Sequence, residues 1–232
     1  MIRILIRSLS LLLVLAATMA AAQPPAPAPA GSGVHFVYLV RHGMYDRDTT
    51  ATDDRVSNGL NALGHEQARL TGERLATLGV RFDRLVSSEY LRAKQTADDM
   101  AQAMRMTPVR DAALNECYPT SHSTRLMAQV TPAEVSECDS ARVVQWARYF
   151  TPTPERDTHD VLVCHGNVIR WTLLRAVGAD PANWHQHDVG NGSVTVIAVR
   201  PDGSVRVAAY SDTGHLPVGK QTWAGRGWGV QP

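Results

Sequence analysis

The side chains best suited to chemistry in this sequence are two histidines, two arginines and one glutamate: His42, His165, Arg41, Arg92 and Glu116. Imidazole is a competent nucleophile at neutral pH, and guanidinium offers a rigid fork of donors that matches phosphate oxygens. A carboxyl group can protonate a leaving oxygen and then activate water. Together these residue types predict phosphoryl transfer in which His42 takes the phosphoryl group and Glu116 is the general acid. The two arginines and His165 would hold the phosphate oxygens.

Four residues beside these groups are expected to contact the substrate: Gly43, Gly166, Asn167 and Tyr118. Gly43 lets the backbone turn sharply and approach a ligand closely. Gly166 and Asn167 open a predicted helix, where free backbone N–H groups bind anions. No metal ion or other cofactor is expected, because phosphoryl transfer depends on positioning and on charge stabilisation that cationic side chains can supply.

Apolar runs bounded by turn residues alternate with longer segments of helical period, which predicts an α/β fold with a mainly parallel central sheet. The predicted strands are residues 35–41, 84–87, 161–165, 193–200 and 205–211, and the last two flank a turn at 201–204 as an antiparallel hairpin. The predicted helices are residues 62–78, 89–104, 132–149 and 168–177, the first capped by Asn61 and ended by Gly79. Residues 111–131 lack a clear period and are predicted to be an excursion over one face of the sheet.

The ends of these strands explain how distant reactive residues could meet. Arg41 and His42 end the first strand, and His165 ends the third. Arg92 lies one turn into the helix that follows the second strand. Because the carboxyl ends of parallel strands gather at one edge of a sheet, where ligands bind, we expect these residues to converge. Glu116 would reach the same edge from the excursion.

Residues 1–22 combine a basic start at Arg3 and Arg7, an apolar run and a small-residue stretch at 20–22, the parts of a secretory signal peptide. The pattern predicts a periplasmic or secreted protein. An uncleaved membrane anchor is disfavoured because the apolar run is short for a span, and an organelle-targeting peptide because the segment is continuously apolar. Residues 23–33 predict a Pro/Ala-rich linker, 34–217 the single domain and 218–232 a Gly-rich tail.

Charge and cysteine content narrow the class of partner. The formal charge is +1 for the whole chain, and it becomes −1 when Arg3 and Arg7 leave with the signal peptide. This balance excludes the basic footprint of a protein that binds nucleic acid or, after cleavage, an acidic membrane. Cys164 lies in an apolar strand and is predicted to be a buried hydrophobe. Cys117 and Cys138 could pair in an oxidising compartment, and their spacing leaves that pairing open.

Four segments resemble the motifs of the histidine phosphatase superfamily, in the branch that contains cofactor-dependent phosphoglycerate mutase. They are residues 39–43 (LVRHG), 64–68 (GHEQA), 87–88 with 92–96 (SS and RAKQT) and 165–167 (HGN). Within that branch the chain most resembles the mitochondrial serine/threonine protein phosphatases, through residues 69–79, 167–170, 191–193 and 212–217. The resemblance extends over residues 34–210. It implies a three-layer α/β/α sandwich, a phosphohistidine at His42 and an acid at Glu116, with phosphate bound by Arg41, Arg92 and His165.

The chain departs from this family pattern in two places. Residues 44–48 read MYDRD where many members carry a Ser or Thr and an Asn. The departure leaves one phosphate contact open and adds Asp46 and Asp48, which are rival candidates for the acid. The oligomerisation motif of the mitochondrial relatives is absent from residues 23–33, so the sequence leaves the oligomeric state open.

The predicted function is that of an exported, metal-independent phosphomonoesterase of the histidine acid phosphatase type. Its substrate would be a phosphorylated small molecule or a phosphoprotein. One alternative is a phosphoglycerate-type mutase, which must hold the phosphorylated intermediate and exclude water. The other is an inactive module that binds phosphate or a partner. His185 and His187 could form a metal pair, although the interpretation as loop residues near the mouth of the site is favoured.

Overall fold

The computed structural model describes residues 31–153 and 155–223 and the backbone of residues 226–227. Its strands are β1 (His35–Arg41), β2 (Arg84–Ser87), β3 (Val109–Arg110), β4 (Thr158–Cys164), β5 (Val194–Val199), β6 (Val205–Asp212), β7 (Thr222–Trp223) and β8 (Arg226–Gly227). Its α-helices are α1 (Ala62–Ala76), α2 (Leu91–Met104), α3 (Thr124–Met127), α4 (Pro132–Tyr149) and α5 (Gly166–Ala176). Short 3₁₀ turns cover Ala112–Leu114, Pro181–Gln186 and Val218–Lys220.

The central sheet has six strands in the order β3-β2-β4-β1-β5-β6. The pairs β3–β2, β2–β4 and β4–β1 are parallel, whereas β1–β5 and the β5–β6 hairpin are antiparallel. The predicted mainly parallel sheet and its terminal hairpin are therefore confirmed. The carboxyl ends of β1, β2 and β4 come together in the middle of the sheet.

Alternate residues of β1 point into two separate cores. Val37 and Leu39 pack with residues of α4 and α5, whereas Tyr38 and Val40 pack with residues of α1 and α2. Because successive side chains of a strand face opposite sides, a strand that is apolar on both faces must be covered on both. The arrangement is the expected three-layer α/β/α sandwich.

Helix ends follow local sequence signals. The Asn61 side chain accepts from the Gly64 amide at 2.9 Å and caps α1. Thr131 and Glu134 form a reciprocal capping box at the start of α4. The helix α1 ends two residues earlier than predicted, and Gly79 lies beyond it with φ +68°.

The predicted elements are confirmed with bounds that shift by at most three residues. Among the strands and α-helices of the described residues, four were not predicted: β3, β7 and β8, which have two residues each, and α3, a single turn inside the 111–131 excursion. Residues 1–30 and 224–225 and 228–232 lie outside the description, so the signal peptide, most of the linker and most of the tail stay predictions. Within the described ranges, no helix combines the length and apolarity that a membrane crossing requires.

Candidate active site

The register between β1 and β4 places the two candidate histidines side by side. Arg41 ends β1 and pairs with Cys164, the last residue of β4. His42 and His165 therefore leave adjacent parallel strands at the same height. Their ring centroids lie 5.1 Å apart, and the His42 amide donates to the Cys164 carbonyl at 3.0 Å.

His42 has the protonation state that a nucleophile needs. The residue is 2% exposed, and its Nδ1 lies 2.8 Å from the carbonyl oxygen of Gly43. Because a carbonyl only accepts, Nδ1 carries the hydrogen and Nε2 holds the free lone pair. Burial, reinforced by the guanidinium groups of Arg41 and Arg92, holds the pKa of His42 well below its ordinary value. The imidazole is therefore neutral at pH 7.

The tautomer of His165 follows from a chain of hydrogen bonds. Ser88 Oγ donates its one hydrogen to Asn115 Oδ1 at 2.8 Å, and that oxygen also accepts from the Glu89 amide at 2.9 Å. The contact of 2.8 Å between His165 Nε2 and Ser88 Oγ must then be donated by the histidine. Its Nδ1 is bare, buried and without a partner. Burial, followed by the nearby His42, lowers the pKa of His165 well below its ordinary value. Any bond from His165 to a phosphate must therefore involve Nδ1.

Arg92 is held between two aromatic rings and a carboxylate. Its guanidinium lies 4.8 Å from the ring centre of Tyr45 and 5.1 Å from that of Tyr90. Its Nη1 donates to Asp54 Oδ2 at 2.9 Å, and its Nε is buried without a partner. The side chain is rigid and almost fully desolvated, which suits recognition of an oxyanion.

Arg41 lies beside a second arginine that the sequence analysis did not include. Its Nη1 donates to the Val189 carbonyl, and its Nε has no partner. Burial, and then the charge of Arg170, lowers the pKa of Arg41 to about 10. Arg170 is one turn into α5 and bonds Asp188 Oδ1 at 3.1 Å. A Cβ at Gly166 would make ordinary van der Waals contacts of 3.7–3.9 Å with both guanidinium groups, so Gly166 lies directly beside the two arginines.

Glu116 is a buried carboxyl group among these cations. Its Oε2 faces the backbone amide of Asn167 at 3.5 Å, and its Oε1 has no partner. Burial raises the pKa of Glu116, although Arg92 and Arg41 act in the opposite direction. A carboxyl group with a raised pKa can hold a proton near neutral pH, as a general acid must. The Asn167 side chain extends the contact by donating to the Cys117 carbonyl at 3.0 Å.

The segment that carries Glu116 is attached to α4 at two points. Arg142 Nη2 donates to the carbonyls of Ala113 and Asn115 at 2.8 and 3.3 Å. Cys117 and Cys138 form a disulfide with a Cα–Cα distance of 5.7 Å. The pairing that the sequence left open is thus formed, and Cys164 is free and buried as predicted.

Close backbone packing explains the glycine of the first motif. A Cβ at Gly43 would lie 2.3 Å from the Gly64 carbonyl oxygen, and one at Gly64 would lie 1.9 Å from the Met44 carbonyl oxygen. Gly43 also donates its amide to Thr96 Oγ1 at 3.0 Å. The segment after His42 therefore packs directly against the start of α1 and the second turn of α2.

The site opens into a cleft of about 990 Å³. One wall is the loop of residues 47–58, and the other is formed by residues 111–118 and one face of α4. The α4 residues that line it are Glu134, Glu137, Cys138, Ala141, Val144 and Arg148.

The remaining candidate residues are Tyr118 and the two rival acids. Tyr118 lines the cleft with its ring edge-on to Trp184 at 6.2 Å. The rival acids are exposed: Asp46 accepts from Asn61 Nδ2 at 3.1 Å, and Asp48 caps the turn that follows it. The structure thus brings Glu116, but neither aspartate, into the buried cation cluster.

The two loop histidines are apart from the site. His185 Nδ1 lies 2.9 Å from Ser121 Oγ, and the His187 ring is edge-on to Tyr210. Over residues 31–153 and 155–223, no three His, Cys, Asp or Glu side chains are grouped as metal ligands.

Sequence reasoning missed several residues of the site, among them Arg170, Arg142, Asp54 and Tyr45. Arg170 carried a usable signal, since it lies one helical turn after Asn167. Arg142 carried another, because it is a charged residue four positions after Cys138 on the buried stripe of α4. The contacts of Asp54 and Tyr45 with Arg92 depend on how the 46–60 loop folds, for which the sequence has no periodic signal.

Comparison with protein families identifies the arrangement. Residues 37–131 and 121–213 match the model of the histidine phosphatase superfamily, branch 1. The chain is 34% identical over 191 residues to the mitochondrial serine/threonine-protein phosphatase PGAM5 of Xenopus laevis, covering 79% of this chain and 67% of that one. For the human protein of the same name the identity is 33%, covering 80% and 65%. The match thus spans about two thirds of the relatives' own length.

A solved structure supports the fold alone. The phosphoglycerate mutase of Plasmodium falciparum superposes with a TM-score of 0.56 at 22% identity, covering 80% of this chain and 95% of that one. This similarity confirms the predicted phosphoglycerate mutase-like α/β architecture.

The same relatives correct the predicted localisation. They are mitochondrial proteins, so the prediction of a periplasmic or secreted protein is wrong. The prediction depends on the basic start and the apolar run of residues 1–22. Composition over so short a segment separates targeting routes poorly.

Proposed function

The chain belongs to the histidine phosphatase superfamily, and from that premise we propose that it is a phosphatase that hydrolyses phosphate monoesters through a phosphohistidine at His42. One observation carries the proposal. A neutral imidazole, with its Nδ1 fixed by the Gly43 carbonyl, lies among buried guanidinium groups that still have unpartnered donors. Such a cluster is arranged for an oxyanion beside a nucleophile.

In the first step His42 Nε2 attacks phosphorus, and the bond from phosphorus to the ester oxygen breaks. The leaving oxygen takes the proton of the Glu116 carboxyl group. Arg41 and Arg92 stabilise the negative charge on the equatorial oxygens, as transfer through a loose transition state requires. Cationic side chains supply this charge stabilisation, so the proposed reaction is independent of metal ions.

In the second step a water molecule attacks the phosphorus of phospho-His42. The Glu116 carboxylate takes a proton from that water, and the bond between Nε2 and phosphorus breaks. Inorganic phosphate leaves, and both residues return to their starting protonation states. The phosphate dianion also raises the pKa of nearby bases, so that Nδ1 of His165 can take up a proton and donate to a phosphate oxygen.

A phosphoprotein is the substrate class that the cleft favours. The residues of α4 that line the cleft run from Glu134 to Arg148, about 21 Å at 1.5 Å per residue. An extended peptide of roughly six residues has that length. The relatives are named serine/threonine-protein phosphatases, which agrees with such a substrate.

The test uses the full chain with p-nitrophenyl phosphate in excess EDTA, comparing wild type with His42→Ala. The control is His185→Ala, which removes an imidazole outside the site. We expect turnover that survives EDTA, persists in the control and vanishes in His42→Ala. A phosphoserine peptide should be hydrolysed with a higher kcat/KM than free phosphoserine.

Other results would overturn parts of this proposal. Activity that remains in His42→Ala, or that EDTA abolishes, would refute the histidine mechanism. A stable phosphoenzyme that passes its phosphoryl group to an alcohol rather than to water would indicate a mutase. Binding of phosphate without turnover of either substrate would indicate an inactive module.

A further inference from the structure

Arg142 is a buried cation that the proposed reaction does not yet use. It lies in the middle of α4 and is 1% exposed. Its Nε and Nη1 have no hydrogen-bond partner, and no carboxylate within the described part of the chain forms an ion pair with it. Removing a charge from water without a countercharge is costly, so a residue of this kind calls for an explanation.

The contacts of Arg142 all lead to the segment that carries Glu116. Its Nη2 bonds the carbonyls of Ala113 and Asn115, immediately before the glutamate. One turn earlier on the same helix, Cys138 is bonded to Cys117, immediately after the glutamate. The helix α4 therefore fixes the backbone on both sides of Glu116.

We infer that Arg142 is a positioning residue for the proposed phosphatase reaction, holding Glu116 in place and supplying the countercharge for its carboxylate after the proton has left. The inference rests on the proposed function of Glu116. It does not make Arg142 a catalytic residue, because Arg142 is not among the residues that line the cleft.

Two unpartnered groups support this assignment. Glu116 Oε1 is buried without a donor, and Arg142 has two buried donors without an acceptor. The two side chains are close enough for each to shift the other's protonation equilibrium. When Glu116 is protonated, Arg142 has no countercharge. When Glu116 has given up its proton, the buried pair is neutral overall.

Other groups also act on Glu116 and must be considered in any pH dependence. Arg41 approaches from β1 and Arg92 from α2, both as cations. Tyr90 and Cys164 approach from the start of α2 and the end of β4, and burial raises the pKa of each, so both are neutral near pH 7. Arg142 is therefore one of three cations that favour the carboxylate form of Glu116, and the other two are the arginines proposed to bind phosphate. It is the one cation of the three that a substrate phosphate does not engage.

The proposed reaction requires Glu116 to change its protonation state twice in each cycle. Glu116 must release a proton in the first step and accept one in the second. While phosphate occupies Arg41 and Arg92, their charge is largely neutralised by the ligand. Arg142 then keeps the carboxylate form accessible in a site where burial favours the protonated form.

The experiment compares the full chain carrying Arg142→Met with wild type, and with Arg74→Met as the control, since Arg74 is an exposed arginine of α1 that does not line the cleft. Carbon-13 NMR of labelled glutamate side chains follows the titration of Glu116, assigned by its loss in Glu116→Gln. Because Arg142 favours the carboxylate form of Glu116, its removal should move this titration to higher pH than in wild type. In Arg142→Lys, which keeps the positive charge, Glu116 should titrate close to its wild-type position.

Turnover provides a second measurement. With an alkyl phosphate ester, Arg142→Met should lower kcat about tenfold at pH 7 and move the pH profile in the direction of the NMR titration. In the Glu116→Gln background the same substitution should have no further effect. The thermal unfolding of each variant verifies that it is folded.

The possible failures can be separated. An unchanged Glu116 titration in Arg142→Met and in Arg142→Lys would overturn the inference, whatever the turnover. An equal loss of kcat with and without Glu116 would also overturn it, because Arg142 would then act on the fold alone. If Arg142→Met shifts the titration of Glu116 but the wild-type chain has no phosphatase activity, the proposed function is refuted instead.

Discussion

Asp54 places a carboxylate on Arg92, one of the two arginines proposed to hold the substrate phosphate, and Asp54→Asn is expected to tighten phosphate binding. The carboxylate lies 2.9 Å from Arg92 Nη1. A phosphate on the other side of the same guanidinium would stand roughly 6 Å from Asp54. The repulsion between a single and a double negative charge at that distance is about 1.4 kcal/mol in a medium as polar as water. Asp54 is about one-third exposed, so this water-like value is the appropriate one.

Loss of the ion pair has an opposing effect, because asparagine holds Arg92 less strongly. The guanidinium is nevertheless flanked by the rings of Tyr45 and Tyr90, and the residue is 3% exposed. These contacts maintain its orientation without Asp54. We therefore expect the charge effect to dominate, with a tightening of about threefold to tenfold, the upper value being the 1.4 kcal/mol estimate.

The assay measures the inhibition constant of inorganic phosphate against hydrolysis of p-nitrophenyl phosphate. Asp53→Asn is the matched control, since Asp53 is the adjacent carboxylate and pairs with Arg55 at the surface. The gain should shrink at high ionic strength, where charges near the surface are screened. Weaker inhibition in Asp54→Asn than in wild type would refute the reasoning and would show that Asp54 orients Arg92.

Three further predictions concern catalysis, packing and pH. Glu116→Gln should reduce turnover of an alkyl phosphate ester by about 10²–10⁴-fold. Turnover of p-nitrophenyl phosphate should fall far less, because its leaving group needs no proton. Equal losses for the two substrates in steady-state assays would contradict this prediction. Gly64→Ala should destabilise the chain by about 2–3 kcal/mol in urea unfolding, because the new Cβ would lie 1.9 Å from the Met44 carbonyl oxygen. The control Gly219→Ala should leave stability unchanged, because its Cβ would have no atom within 4 Å. Burial alone would raise the pKa of Asp160, but hydrogen bonds from His35 and Arg84 outweigh it and lower that pKa. The contribution of Asp160 to stability is therefore present above about pH 4 and is lost as the pH falls through the folded-state pKa. Asp160→Asn should lower the free energy of unfolding by about 3 kcal/mol at pH 7 and flatten its dependence on acid pH. If the variant keeps the wild-type dependence, other groups are responsible for it.

The edge of the sheet that carries the candidate site is predictable because its signals are local. The strands β1 and β4 both contain an apolar run near their carboxyl ends, and the candidate residues follow within one or two positions, as with Val40, Arg41 and His42. Parallel pairing then brings these ends together without any knowledge of side-chain packing. The strand β3 was missed for the opposite reason, since its two residues, Val109 and Arg110, are exposed and are defined only by pairing with β2.

The contacts that adjust the site could not be read from the sequence. Asp54 and Arg92 are 38 residues apart, and Ser88 and His165 are 77 apart. Neither pair belongs to a repeat or a periodic pattern, so their meeting depends on loop conformation and on the tertiary fold. The same holds for Arg142, whose charge on a mostly buried helix face has meaning only once Glu116 is placed beside it.

The buried arginines connect the two main properties of the site. Guanidinium nitrogens of Arg41, Arg92, Arg142 and Arg170 are buried without hydrogen-bond partners, which is unfavourable for the empty protein. The positive charges of Arg41 and Arg92 add to burial in lowering the pKa of His42, so the imidazole stays neutral. A bound phosphate dianion would supply a countercharge to Arg41 and Arg92. In the proposed reaction, affinity for phosphate and the reactivity of His42 therefore have one physical source, and removal of Arg41 or Arg92 should weaken phosphate binding and raise the pKa of His42 together.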